Sequence, residues 1–499
     1  MVALVLAALP ALLPPDARAL AGTWLATVPS PGSGYAAGFA GPGRPPRTLR
    51  LALVIQPQHA APPRAFVIEP EMNYGVFVRL RTVHVEGSRV TLAAPRRPDI
   101  IGRYRAGRLA FELPDVGPAS FRRATVAETR AVTATSRDSV AIGTAPARTR
   151  DGWRTARPRD VGIDAGAMRA IVAGLAGARP GLRVRRPHAL LVARHGRLAV
   201  EAYFAGYGRD TLHDLRSAGK SIAPLLFALA ARHDPTLTLQ SRVVARARAE
   251  GPPHPDARTS RITANDLLTM RSGLACDDDD DASPGNEDRM QSQTARRDWY
   301  AYTLALPMAA DPGTRAVYCS AGINLVGAML PAAAHASVAQ LFARELAAPL
   351  GITNYALPLQ PAPRGAAYLG GGERLRPRDA LKLGQLLLDD GRWNGRRVVD
   401  ARWVRAMVVP QTRVRGEIGA YGDAWHVYRY VVAGRRVTAV SAGGNGGQLV
   451  FAIPAYDLAI AIDAGNYNQF PVWLGFITST VPRVLDAVAG PHAHSRIVM

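Results

Sequence analysis

The sequence predicts an α/β (α+β) protein, an antiparallel sheet flanked by helices and preceded by a small all-β barrel or sandwich domain. Three observations predict it. Residues 20–125 carry short runs that alternate or are β-branched, separated by Gly and Pro clusters. From residue 153 onward, strand-like runs are mixed with stretches of helical periodicity. A tight hairpin, 188–194 and Arg197–Phe204 about the turn His195-Gly196, leads directly into a helical segment at 222–231.

Length and composition fit this reading. At 499 residues the chain holds two or three domains, and 48% apolar with 20% charged residues is the balance of a globular protein. The formal charge of +22 would favour acidic partners. The arginines are scattered, however, with pairs such as Arg185-Arg186 and Arg435-Arg436 but no long basic block. Two cysteines cannot build a four-cysteine zinc finger, and no RNA-binding signature accompanies the charge. The excess is therefore expected to be a solvated basic surface, with no nucleic-acid partner.

Taken in order, residues 1–19 have the features of an export signal. A short apolar run and a Pro-Pro break precede Ala17-Arg18-Ala19, a small-x-small cleavage pattern. The run is too short to span a bilayer, and no later segment is expected to be transmembrane. Residues 20–125 form the β-rich domain, with strands expected at Thr48–Gln56, 65–69, 76–83, Arg89–Ala94 and Arg108–Leu113. Gly22-Thr23-Trp24 is similar to the Gly-x-Trp that opens lipocalin barrels, although a core tryptophan explains it as well. Residues 126–152 turn to Ala, Thr, Arg and Ser with little periodicity and read as a linker. The domain at 153–499 has helical patterns at 165–178, 264–270, Ser320–Ala334, 338–348, 378–389, Ala401–Met407 and 476–488. Its closing strands are expected at 437–442, Gln448–Ile453 and 458–463.

The chemistry concentrates at Ser217-Ala218-Gly219-Lys220. Residues three apart share a helix face, so Ser217 Oγ and Lys220 Nζ can meet. A lysine kept dry can lose its proton and take one from a hydroxyl, which an arginine cannot do. Of 61 basic side chains only Lys220 and Lys382 are lysines, and one of them falls at this position. Tyr318 is presented before the helix that starts at Ser320 and could serve as a phenolate base if a cation lowered its pKa. Ser441-Ala442-Gly443-Gly444-Asn445 joins two strands, and its glycines let backbone approach a ligand closely. Cys276 and Cys319 are candidates for one disulfide or for two buried thiols. The acidic run 277–281, with Glu287 and Asp288, reads as a solvated loop rimming a pocket. His426 reads as a surface or core histidine. Gly219-Lys220-Ser221 is not a phosphate loop, since that motif's first glycine would fall on Asp214.

In order and spacing this set resembles the serine β-lactamase and penicillin-recognising superfamily. It is most similar to the class C branch with its esterases, DD-peptidases and oligoamide hydrolases. DLLTMRSG (266–273), PGTRAVYCSAGINLVG (312–327), PLGI (349–352), RDALKLGQLLLDDGRWNGRRVV (378–399) and GGNGGQLVFAIPAYDLAIAI (443–462) carry the resemblance. It covers roughly residues 155–485 and leaves out the β-rich domain. It implies a β-lactamase/transpeptidase-like fold with an all-helical subdomain beside the sheet. It also implies Ser217 as the acylated nucleophile, Lys220 as proton acceptor and Tyr318 as the proton shuttle to leaving group and deacylating water. Ser320 falls where many members have Asn. The usual third motif, Lys-Thr-Gly or His-x-Gly, is here Ser441-Ala442-Gly443 or one residue later, without its cation. That departure weakens lactamase and carboxypeptidase assignments and leaves esterases or amidases of neutral substrates open.

The expected function is an exported serine hydrolase of esterase, amidase or DD-peptidase type, cutting an ester, amide or β-lactam bond through an acyl-enzyme. Its substrate is a small-molecule or peptide-like acyl compound, with Ser320, Gly443, Gly444 and Asn445 at the binding and oxyanion side. No cofactor and no metal are implied. The alternative, suggested by the altered third motif and the positive charge, is a non-catalytic cell-envelope binding protein on a penicillin-binding-protein-like scaffold.

Overall fold

A computed structural model describes residues 16–29, 38–43, 48–68, 81–94, 97–113, 117–133, 137–138, 142–176, 185–247, 256–490 and 492–498. Most of the expected export signal, and residues 76–80 of an expected strand, lie outside these. The described residues form two compact units, one from those within 16–29, 48–68 and 81–133, the other from 38–43 and from 137 onward.

The first unit is a closed antiparallel barrel of eight strands, Gly22–Pro29, Thr48–Gln56, Arg64–Ile68, Arg81–Glu86, Arg89–Ala94, Arg97–Arg105, Arg108–Leu113 and Gly117–Arg123. Alternation drives it. Leu109, Phe111 and Leu113 are buried while Arg108, Ala110 and Glu112 between them are exposed, the two-residue period of a sheet with one wet face. The last strand closes on the first at Trp24↔Arg123. Trp24 is buried, donates from Nε1 to Leu20 O at 2.9 Å, and lies under the Arg123 guanidinium at 4.6 Å. The expected linker is not featureless, because Val126–Thr133 is a helix. Glu128 N donates to Thr125 Oγ1 at 3.2 Å, and Thr125 N donates to Glu128 Oε2 at 2.9 Å. This reciprocal cap starts the helix despite its weak apolar periodicity.

The second unit is built on a ten-stranded sheet among the described residues. Along the main path its strands run Arg137–Asp138, Arg197–Phe204, Pro187–Arg194, Leu458–Ala464, Gln448–Ile453, Arg435–Gly444, His426–Val432 and Ala420–Tyr421. Its turn at His195-Gly196 has both residues at positive φ, as a tight two-residue hairpin demands. The two faces bury different partners. Val440, Ala442, Val450 and Ala452 join a core shared with Leu215, Ala218 and the apolar helix Ile222–Ala230. Ala439, Leu449 and Phe451 join another with Ile171 and Val172 of Ala165–Ala176 and Val484 and Leu485 of Val481–Ala489. Strand parity thus decides which side of the sheet a residue serves. A smaller sheet orders His213–Asp214, Arg374–Leu375, Tyr355–Leu359 and Gly38–Ala40. Among the described residues one helical run, Phe470–Ala489, is long and apolar enough to cross a membrane by length and composition, where the sequence reading expected none. Val481, Val484 and Leu485 within it are buried against the sheet.

Just ahead of the Ser217 segment, His188 Nδ1 and His213 Nε2 stand 2.8 Å apart, both buried, with Tyr207 stacked on His188 at 3.8 Å. Burial pushes His213 down to about 3, and burial together with the charges of His213 and Arg186 pushes His188 well below its usual value. The folded protein keeps both rings neutral, whereas the unfolded chain protonates them below the ordinary histidine value. Their stability contribution is therefore complete above that value and lost as pH falls. Asp463, pushed up to about 7 by burial, acts in the opposite sense. A variant comparison isolates the histidine. Between pH 6 and 4, His213→Gln loses about 1.4 kcal/mol less unfolding free energy per pH unit than the wild type, read from urea unfolding across pH.

Candidate active site

The expected helix around Ser217 begins as a 3-10 turn, Arg216–Ser221, and becomes α-helical at Ile222. The tighter turn still puts residues three apart on one side. Lys220 Nζ stands 2.8 Å from Ser217 Oγ. Lys220 is fully buried and Ser217 is partly exposed. Neighbouring segments hold the turn. Leu215 N donates to Glu373 O at 2.9 Å, Gly372 N to Arg216 O at 3.1 Å, and Ser221 Oγ to Ala424 O at 2.6 Å.

Tyr318 joins them, its ring centroid 5.0 Å from Lys220 Nζ. Burial pushes its hydroxyl well above the usual range, as do the charges of Glu417, Asp278 and Glu287, against a hydrogen bond with Ser217. The phenolate suggested by the sequence is therefore disfavoured, and Tyr318 is held as a neutral phenol beside the serine. Ser320, expected at the binding side, is held by Asp278. It is buried, and both its Oγ and its backbone N–H donate to Asp278 Oδ2, at 2.6 and 2.7 Å. Cys276 and Cys319 form a disulfide, which ties the Asp278 loop to the Tyr318–Ser320 segment.

Third-motif register follows from parity. A Cβ at Gly444 would lie 2.9 Å from Ala218 N and against Leu215 O, so this glycine abuts the nucleophile turn. Gly443 faces the other way, toward His426 Nδ1, which a Cβ there would meet at 3.2 Å. Gly444, rather than Gly443, is thus the glycine of this stretch that packs on the Ser217 turn. Asn445 turns its amide to Asn468, donating from Nδ2 to Asn468 Oδ1 at 2.7 Å. His426 is buried, with Nε2 3.2 Å from Glu417 Oε2.

Several residues here escaped the sequence reading. Asp278, from the acidic run, is not simply solvated. Burial and the charge of Glu287 push it up to about 7, against the pull of Lys220 and the two Ser320 bonds. Glu373 is fully buried, with neither carboxyl oxygen hydrogen-bonded, and packs into the notch left by Gly219. Burial pushes Glu373 up to about 8, opposed by Lys220 and reinforced by Asp214 and Glu287. Burial also acts to raise Glu417, but its His426 bond and the charges of His426 and Lys220 outweigh that and hold it below the usual range. The available signal was the glycine run 370–372, whose Gly371 lies against Arg216 O and 3.3 Å, by its absent Cβ, from Ser217 Cα.

The register assignment is testable by packing. Gly444→Ala lowers the unfolding free energy by about 1–3 kcal/mol, because backbone must move, while Gly443→Ala, meeting the edge of one imidazole, costs less. Urea denaturation of the two variants gives that order.

The sequence pattern of the beta-lactamase family matches residues 168–464. No curated protein sequence matches the chain. Among solved structures, a penicillin-binding protein homologue from Caulobacter crescentus is similar at 16% identity and TM-score 0.47, over 65% of this chain and 95% of that one. A family VIII carboxylesterase is similar at 16% identity and TM-score 0.47, over 65% and 96%. An octameric penicillin-binding protein homologue from Pyrococcus abyssi is similar at 18% identity and TM-score 0.47, over 66% and 77%.

Proposed function

This chain belongs to the beta-lactamase family, and from that premise we propose that it is a serine hydrolase working through an acyl-enzyme on Ser217. The observation that carries the reading is the 2.8 Å approach of a fully buried lysine amine to the hydroxyl of a partly exposed serine. Ser217 Oγ attacks the carbonyl carbon of an ester, amide or lactam as its proton passes to Lys220 Nζ. The negative charge on the carbonyl oxygen is taken up by the backbone N–H of Ser217 and that of Asn445, which follows the closely packed Gly444. As the tetrahedral species collapses, the leaving group receives a proton from the neutral Tyr318 hydroxyl, which Lys220 replenishes. Water then enters by the reverse relay and frees the acyl group. The absence of a cation from residues 441–445 favours substrates other than ordinary β-lactams, with an esterase or amidase foremost.

Fluorophosphonate labelling followed by intact-mass measurement tests the reading. Wild type gains one adduct and Ser217→Ala gains none. Lys220→Ala lowers ester turnover at least about 1000-fold, and Tyr318→Phe about 100-fold or more. Equal labelling of wild type and Ser217→Ala would discard the enzyme and favour the non-catalytic binding protein instead.

Localisation outside the cytoplasm, periplasmic or secreted, is part of the proposal, supported by the Ala17-Arg18-Ala19 pattern and by a disulfide. N-terminal sequencing of the protein recovered from the producing cell's exterior is expected to begin at Leu20. An intact Met1 in a cytoplasmic fraction would contradict it.

A further inference from the structure

Arginines that look scattered along the chain are gathered onto one face by the register of the barrel. In its neighbouring strands Arg89–Ala94, Arg97–Arg105, Arg108–Leu113 and Gly117–Arg123, inward and outward residues alternate. Val90, Leu109 and Phe121 are buried, which turns Arg89, Arg108 and Arg122 outward beside Arg103 and Arg105, and all five arginines are exposed. Arg89 stands opposite Arg103, Arg105 opposite Arg108, and Arg108 opposite Arg122. Like charges directly across a sheet repel, so three such pairs on four strands work against the barrel's own stability.

The barrel offsets this only in part. Glu128 meets Arg122 at 2.6 Å, and Glu86 stands opposite Arg89. Arg108 donates to Ser120, from Nε to Oγ at 2.9 Å and from Nη2 to O at 3.0 Å, which leaves its charge uncompensated. Arg103 and Arg105 make no ion pair among the described residues. Asp99 and Glu112, also exposed, lie further along these strands, beyond Ile101 and Ala110 and away from the Arg105 and Arg108 end. On the same outward face, two residues before Arg103, Ile101 is 48% exposed.

We propose that this face is a docking surface for a membrane with anionic phospholipid headgroups, Arg89, Arg103, Arg105 and Arg108 meeting phosphates and Ile101 entering the interface. Guanidinium groups pair with phosphate oxygens, and basic side chains with an apolar neighbour are what a bilayer surface binds. The exposed positions of these strands hold no aromatic residue, so the stacking platform that single-stranded nucleic acid uses is missing. The charge belongs to the barrel and is independent of the hydrolase reading.

The experiment is co-sedimentation of the full chain with vesicles of mixed phosphatidylglycerol and phosphatidylcholine, and with vesicles of phosphatidylcholine alone. Wild type is expected to bind the mixed vesicles about tenfold or more tighter, and added salt to weaken that binding. Arg103→Glu with Arg105→Glu removes the preference. Arg435→Glu with Arg436→Glu, the same change of net charge on exposed residues of the second unit, keeps it. The barrel variant unfolds at no lower urea concentration than wild type, since it turns two repulsive pairs into attractive ones. If it does unfold earlier, Arg103→Gln with Arg105→Gln takes its place and is expected to lose most of the preference. Ile101→Ser weakens binding to the mixed vesicles by a smaller factor than the charge reversal. Equal binding of wild type to both vesicles, or equal losses in the two charge reversals, overturns the proposal. So does double-stranded DNA that binds wild type more tightly than the mixed vesicles and loses its hold in the same barrel variant, which would make the face a polymer site.

Discussion

A lysine amine buried against a serine hydroxyl is the contact on which the rest of this site depends. Burying Lys220 completely costs free energy whenever it carries charge, so the fold has to manage its surroundings. It does so with carboxylates at several removes. Asp278, Glu373 and Glu417 all interact with the lysine charge, yet none is its hydrogen-bonded partner, a place held by Ser217 Oγ. Asp278 and Glu373 are pushed up by burial, while Glu417, held by His426, is pulled down. Near neutral pH the pocket therefore carries less negative charge than its carboxyl count suggests.

Holding that contact requires two backbone segments, at 371–373 and at 444, to pack closely against one short turn. Gly219, Gly371 and Gly444 make this possible, since a side chain at any of them would collide with Glu373, with Arg216 and Ser217, or with Leu215 and Ala218. The close approach also aligns hydrogen bonds that a looser fit would lose, from Leu215 N to Glu373 O and from Gly372 N to Arg216 O. The turn is fixed by main chain on several sides, which is how a 3-10 segment with no side-chain cap stays in register.

Much of this was legible in the sequence where the signal was local. Ser217 and Lys220 are three residues apart, and that spacing survives whether the turn is α or 3-10. Barrel strands such as Arg108–Leu113 announce themselves by alternation. What the sequence hid depends on packing between distant segments. One acidic run contains Asp278, accepting two hydrogen bonds from Ser320, and Asp280 and Asp281, which are exposed; nothing in five consecutive aspartates separates them. Third-motif register could not be decided because a one-residue slip exchanges the two faces of a strand, and only contact with Leu215 and Ala218 chooses. Glu373 looked like any glutamate after glycines. The helix Val126–Thr133 was missed for a different reason, since its signal is the Thr125–Glu128 cap and not an apolar stripe.

The two lysines, in a chain that otherwise uses arginine for charge, show why the residue type matters. Both are fully buried. Lys382 Nζ donates to Asp379 Oδ1 at 2.7 Å, one helical turn away, and stands 5.6 Å from the Trp393 ring centroid. It is a paired structural cation, although burial lowers its pKa despite that partner. Lys220 has the same burial and the same three-residue spacing to its neighbour, but the neighbour is Ser217 Oγ. An arginine could replace neither without widening the cavity, because its planar head is larger than an ammonium. At position 220 it would fail for a second reason, since it cannot give up its proton to become a base. Under the proposed mechanism, the contrast assigns the difference between a structural and a reactive lysine to the partner one turn away. Burial alone does not make the distinction.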